Sequence, residues 1–140
     1  MFIGEYSHTI DEKSRLAVPI KFRAELTSGA VVTKGLDGCL FLYTLGEWEK
    51  LVEKLNVMPI SQKNARAFSR LILAGAMDVE LDRQGRMVLP KYLTDYAKID
   101  HNVIVAGLFN RLEIWDQKAW QEYKASTEKE SEALAEQLFI

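Results

Sequence analysis

A chain of 140 residues that repeats its own plan once has few ways to fold, and this one does so. Asp11-Glu12-Lys13-Ser14-Arg15-Leu16-Ala17-Val18-Pro19 returns 71 residues later as Asp82-Arg83-Gln84-Gly85-Arg86-Met87-Val88-Leu89-Pro90. In each copy an acid leads a short polar turn, an arginine closes it, three apolar residues follow and a proline ends the run. Aspartate at the head of a reversal accepts hydrogen bonds from N–H groups two or three residues on. Gly85, or the small Ser14, tolerates a backbone angle that most residues avoid. Pro19 and Pro90 suit the first position of a helix, where a missing N–H costs nothing. Each copy reads as strand, turn, strand and helix start.

The repeat runs beyond the turns. Gly4 matches Gly75 at the same offset of 71, and past the turns the offset becomes 72, pairing Val31-Val32 with Val103-Ile104, Leu40 with Leu112 and Trp48 with Trp120. Two long units are a tandem duplication; solenoid units are shorter and need three or more copies. Each half supplies about four short strands, too few to cover both of their faces, so strands of both halves are expected to interleave into one closed, barrel-like sheet. The predicted fold is a β-barrel core with helices, α+β by content.

Phe2 to Ile10 reads as a strand. Phe22 and Leu26 give a short helix its apolar side, and Ser28-Gly29 ends it. Ala30-Val31-Val32-Thr33 and Cys39-Leu40-Phe41-Leu42-Tyr43 flank Gly35-Leu36-Asp37-Gly38 as a hairpin. Thr44 and Glu47 match a reciprocal capping box for a helix carrying Leu45, Trp48, Leu51, Val52 and Leu55, which Met58-Pro59 stops. Ser61 is the expected cap of a linking helix from Gln62 to about Leu73, with Lys63, Arg66 and Arg70 on its polar side. Met77 to Leu81 alternates as a strand, and Asp116 caps a helix bearing Trp120 and Tyr123. The tail resumes apolar character only from Ala133 to Ile140 and needs something to pack on. The expected divisions are a first half at 1–57, a linking helix at 58–73, a second half at 74–125 and an acidic helical tail at 126–140.

Composition narrows the function classes. With 48% apolar residues the chain can bury a real core, and one cysteine, Cys39, builds neither a disulfide framework nor a multi-thiolate zinc site. His8 and His101 lack ligand spacing, so no metal is expected. No phosphate-binding, dinucleotide, zinc-protease or nucleophile-elbow motif occurs, and neither cofactor, catalysis nor small-molecule substrate is expected. No apolar run approaches a membrane span of about 20 residues, and no signal-peptide plan opens the chain, so a cytoplasmic setting is expected. Net charge is −2 but unevenly spread. Lys13, Arg15, Lys21 and Arg23 against Asp11 and Glu12 make the first turn region +2, and Arg83, Arg86, Lys91 and Lys98 against Asp82 and Asp95 make the second +2. Residues 117–137 carry −2.

The doubled D-x-x-x-R turn, the Pro after each apolar run, Gly35-Leu36-Asp37-Gly38-Cys39-Leu40 and Leu112-Glu113-Ile114-Trp115 resemble the MraZ family over residues 1 to about 125. That family sits with the AbrB-like and SpoVT-like transition-state regulators, whose swapped-hairpin, double-split β-barrel is normally made by two chains. The resemblance implies two tandem half-domains in one pseudo-twofold barrel. It further implies a nucleoid-associated transcriptional repressor of the division and cell wall gene cluster, binding short direct repeats in promoter DNA as a ring-shaped homo-oligomer. The family's functional motif falls on Asp11 and Arg15, and on Asp82 and Arg86. Ser14 departs from the family's usual Gly, and if the position needs positive φ it costs on the order of 1 kcal/mol.

Arg15 and Arg86 have a bland reading, as ion pairs back to Asp11 and Asp82 that staple each turn. They have a functional one, in which the acid orients the guanidinium toward phosphate or a guanine edge; the two are compatible. Lys13, Lys21, Arg23, Arg83 and Lys91 are individually ordinary solvated charges, but their recurrence beside both turns points to phosphate. Trp48, Trp115, Trp120 and Phe68 read as core, as does Cys39. The rival class is a ring-forming protein-interaction scaffold whose basic turns are merely solvated; binding to duplex DNA discriminates the two.

Overall fold

The computed structural model describes residues 1–140. Its strands are β1 (Phe2–Thr9), β2 (Arg15–Ala17), β3 (Ala30–Lys34), β4 (Leu40–Thr44), β5 (Met77–Val79), β6 (Arg86–Val88), β7 (Asn102–Phe109) and β8 (Leu112–Asp116). Its helices are α1 (Ile20–Arg23), α2 (Leu45–Asn56), α3 (Lys63–Ser69), α4 (Lys91–Tyr96), α5 (Gln117–Lys129) and α6 (Ser131–Gln137). All strand pairing is antiparallel.

The halves trade strands. Six strands lie in the order β1-β7-β8-β4-β3-β5, so that β1 of the first half borders β7 of the second while β5 of the second borders β3 of the first. The order is the same read from either end once each strand is replaced by its repeat mate. The remaining mates, β2 and β6, pair only with each other as a two-stranded ribbon, attached to β1 through a bridge from Ile10 to Leu16. The expected interleaving thus takes the form of a six-stranded sheet facing a ribbon across one shared core.

Alternation in the strands builds that core. Leu40, Leu42, Val103, Val105, Leu112 and Ile114 point inward from the sheet to meet Leu16 and Met87 from the ribbon and Phe22 and Leu93 from α1 and α4. Phe22 is wholly buried, with its ring edge-on to Phe2 at 5.2 Å and to Tyr6 at 5.4 Å. The other face of the sheet offers Phe41, Tyr43, Ile104 and Trp115 to α2 and α5, whose Trp48 and Trp120 pack against them half-buried. Cys39 belongs to this second cluster, and burial pushes its thiol up to about 12.

Two caps differ from expectation. Thr44 does cap α2 by accepting the Glu47 N–H at 3.2 Å, but the Glu47 carboxylate turns to Lys50 at 3.1 Å, leaving half of the reciprocal box unmade. Ser61 does not cap the linking helix: Gln62 holds that position without a side-chain bond, and the Arg66 guanidinium reaches back to the carbonyls of Ile60 and Ser61. The linking helix also widens into a π turn over Arg70–Ala74. There the Ala76 N–H bonds to Leu73, and the Ile72 carbonyl accepts the hydroxyl of Thr33 at 2.6 Å. Thr33 is fully buried, and a hydroxyl in that position must find an acceptor.

Candidate nucleic-acid interface

The two turns are the same structure made twice. Asp11 Oδ1 accepts the N–H groups of Lys13 and Arg15, both at 2.9 Å, and Asp82 Oδ1 accepts those of Gln84 and Arg86, also at 2.9 Å. The second carboxylate oxygen takes the Nε–H of the closing arginine, at 2.7 Å for Arg15 and 3.0 Å for Arg86. The amide of Arg15, with its guanidinium and the Lys13 amide, holds the Asp11 carboxyl below the usual carboxylate range; Arg86 and Gln84 do the same for Asp82. Both acids stay charged at neutral pH and keep both arginines oriented.

The ribbon sets the two turns side by side. Leu16 faces Met87 at its centre, flanked by Arg15 opposite Val88 and Ala17 opposite Arg86. Reciprocal bonds from Val18 N to Gly85 O and from Leu89 N to Ser14 O, each 2.9 Å, extend the pairing symmetrically into both turns. Because side chains alternate, Leu16 and Met87 enter the core while Arg15, Arg86, Ala17 and Val88 share the outer face. The arginines sit diagonally across the ladder, about 7–8 Å apart at the backbone. Each is roughly 30% exposed, with Nε bound to its aspartate and the terminal guanidinium nitrogens unbonded within the chain.

The other predicted contacts divide. Lys13, Lys21 and Arg83 are exposed near the ribbon's ends or on α1 and enter none of the chain's ion pairs. Lys91, on α4, is exposed but paired to Asp95 at 2.8 Å. Arg23 is folded inward, its Nε donating to the Val18 carbonyl at 2.8 Å. It packs so closely over the second turn that a Cβ on Gly85 would lie 2.2 Å from that nitrogen.

This packing explains the departure at Ser14. Ser14 and Gly85 have matching φ of 60° and 76°, so both turns need the left-handed conformation. At the offset of 71 the counterpart of Arg23 is the shorter Thr94, so the guanidinium that crowds a side chain at Gly85 has no counterpart of the same length for the first turn. Ser14→Gly should therefore raise stability by a few tenths to about 1 kcal/mol, read as an increased Tm in thermal unfolding. A clear fall in Tm would show that the Ser14 side chain holds the turn.

Sequence reasoning missed a buried charge. Glu113 is only 8% exposed on the helix-covered side of the sheet, where it accepts from Trp115 Nε1 at 3.1 Å and from the Arg111 guanidinium at 3.0 Å, which itself lies over the Phe41 ring. The one available signal was its place among Leu112, Ile114 and Trp115, a strand apolar on both sides. Glu5 was missed as well; it joins β1 to α5 by accepting from Trp120 Nε1 and pairing with Lys124.

Fold and site define a class: β proteins made by internal duplication, in which two halves exchange strands and bring their acid-led turns into one basic ribbon. The sequence matches the family described as "MraZ protein, putative antitoxin-like" twice, at residues 1–71 and 72–139. Curated relatives named "Transcriptional regulator MraZ" include those of Caldanaerobacter subterraneus and Moorella thermoacetica, both 49% identical, and of Clostridium acetobutylicum, 48% identical. Each alignment covers 99% of this chain and 96% of the relative. The chain belongs to the MraZ family, a family of transcriptional regulators.

Proposed function

We propose that the protein regulates transcription by binding duplex DNA sequence-specifically through the outer face of the β2–β6 ribbon. The observation that carries this reading is the posture of Arg15 and Arg86, each held at Nε by its aspartate with its terminal nitrogens unbonded within the chain. Those two nitrogens are what a guanine edge or a phosphate takes from arginine. A two-stranded ribbon also fits the width of the major groove. Asp11 and Asp82 orient, Arg15 and Arg86 read, and Lys13, Lys21, Arg83 and Lys91 meet phosphates. Arg23 contributes charge from its place against the second turn.

In finer terms, the family resemblance supports a nucleoid-associated repressor of the division and cell wall gene cluster, acting on short direct repeats as a ring-shaped homo-oligomer. Residues 1–57 and 74–125 serve as its SpoVT-AbrB-like halves, with 58–73 as the link and 126–140 as the acidic tail. Repeats in one orientation suit a ring, because rotation carries each ribbon forward without inverting it. The test is a gel-shift titration on repeat-bearing promoter DNA beside a scrambled control. Equal affinity for both removes sequence specificity, and no binding to either leaves the interaction scaffold. Contacts to about four phosphates per chain lower affinity on the order of 100-fold between about 50 and 200 mM salt, through counterion release. A salt-independent affinity overturns the electrostatic part.

A further inference from the structure

We propose, resting on the ribbon as the DNA-reading face, that Val88 selects the 5-methyl group of a thymine beside the base pair that Arg15 meets. On the outer face of the ribbon Arg15 lies directly opposite Val88, and Arg86 directly opposite Ala17. The flanking pairs, Val18 with Gly85 and Ser14 with Leu89, are joined by backbone hydrogen bonds. Bonded and unbonded pairs alternate along an antiparallel ladder. Arg15–Val88 and Ala17–Arg86 are therefore both unbonded pairs, the kind whose side chains stand closest, with Cα atoms about 4.5 Å apart. Each arginine has one apolar neighbour at its side. The two neighbours differ in reach: Ala17 is half-buried and ends at Cβ, whereas Val88 carries two methyl groups beyond Cβ and is 58% exposed.

An arginine stem standing beside a valine can cover it with its own methylenes. Here the Nε of Arg15 is tied to Asp11 in its own turn, and Val88 stays open to solvent. It belongs to neither apolar cluster of the chain. A lone exposed valine is ordinary on a protein surface. This one is flanked by Arg15 across the ladder and by Arg86 two residues back on its own strand, so it meets the base edges that lie between the two arginine contacts. Among the groups that base pairs present in the major groove, the thymine methyl is the apolar one, and the rest are hydrogen-bond donors and acceptors that a valine cannot satisfy. Cytosine at the same place would set its N4 amino group against Val88 without an acceptor, which disfavours it. Ala17 leaves a gap where Val88 makes contact, so methyl reading falls on the Arg15 pair alone.

Gel-shift titration of the full chain on repeat-bearing DNA, with each thymine of either strand replaced in turn by deoxyuridine, removes one methyl group at a time and no hydrogen-bonding atom. The parent should lose about fourfold in affinity at one thymine, the equilibrium counterpart of one buried methyl group. Val88→Ala should bind the thymine and uracil forms of that position alike, and Val88→Ile should keep the discrimination. Circular dichroism follows the fold of both variants. A parent indifferent to uracil at every thymine overturns the proposal. So does a Val88→Ala variant as sensitive to uracil as the parent, since the methyl is then felt through the shape of the duplex. A parent that binds no DNA in any form removes the DNA-binding reading and this one with it, whereas intact but methyl-blind binding removes this one alone.

Discussion

Arg15→Ala and Arg86→Ala should each weaken binding to repeat DNA by about 10- to 100-fold, the range expected when one arginine loses a base or phosphate contact. The double variant should abolish discrimination between repeat and scrambled DNA. The two single effects are expected to be alike, because the arginines occupy mate positions and hold the same bonds to their aspartates. Neither should change oligomeric state or melting temperature greatly, since the terminal nitrogens support nothing else in the chain and the pairs are partly exposed. Lys129→Ala, at the far end of α5, should leave DNA affinity nearly unchanged. The measurement is a gel-shift titration beside size-exclusion of each variant. Parent-like binding by both arginine variants sinks the ribbon as the reading surface, and so does a loss of binding that follows only from collapse of the fold. If one repeat binds as tightly as several, the ring gives no avidity.

Leu16→Ala should be the most costly truncation on the ribbon. Its side chain is wholly buried at the centre of the ladder opposite Met87, beneath both arginines. Deleting a leucine from such a site costs about 3–5 kcal/mol in lost transfer energy and residual cavity. That is a large share of the 5–15 kcal/mol by which domains are typically stable, and corresponds to a fall in Tm of about 10 °C or more. Val88→Ala, on the exposed face of the same ribbon, is the control and should stay within about 0.5 kcal/mol. Thermal unfolding of the two variants decides: similar small losses would mean that the ribbon is not anchored through its core side.

The most legible features were those with a local cause. Both turns, the first hairpin and both proline-led helices follow from residues within a few positions of one another, and the duplication made interleaving the economical closure. The pairing of Arg15 and Arg86 with their aspartates was legible because the motif recurs. What could not be read depended on distant neighbours. The Ile72 carbonyl, within the π turn, accepts the hydroxyl of Thr33, a residue of β3 39 positions earlier. β5, which follows that turn, has three residues where its mate β1 has eight. Arg23 looked like a surface cation, and only the ribbon pairing brings Gly85 beneath it. Glu113 lies opposite Phe41 across the central strands, so its burial follows from the meeting of two halves that the sequence separates by 72 positions. The Glu47 box failed for a simpler reason: Lys50, one turn along, offered its carboxylate a charged partner.

Because β2 and β6 belong to one polypeptide, the ribbon does not have to be assembled by collision. When such a surface is made by two separate chains, its population falls as the protein is diluted, and monomer concentration limits recognition before any nucleic acid is met. Here the chain between β2 and β6 tethers the two strands, and the equilibrium that forms the surface is independent of concentration. A few molecules per cell therefore carry the surface as fully formed as many do. Covalent linkage also released the copies from being identical, and the chain has used that freedom at Glu12 against Arg83, Lys13 against Gln84 and Ser14 against Gly85. A reader with two equal halves has no sense of direction along a duplex; one with unequal halves has a front and a back.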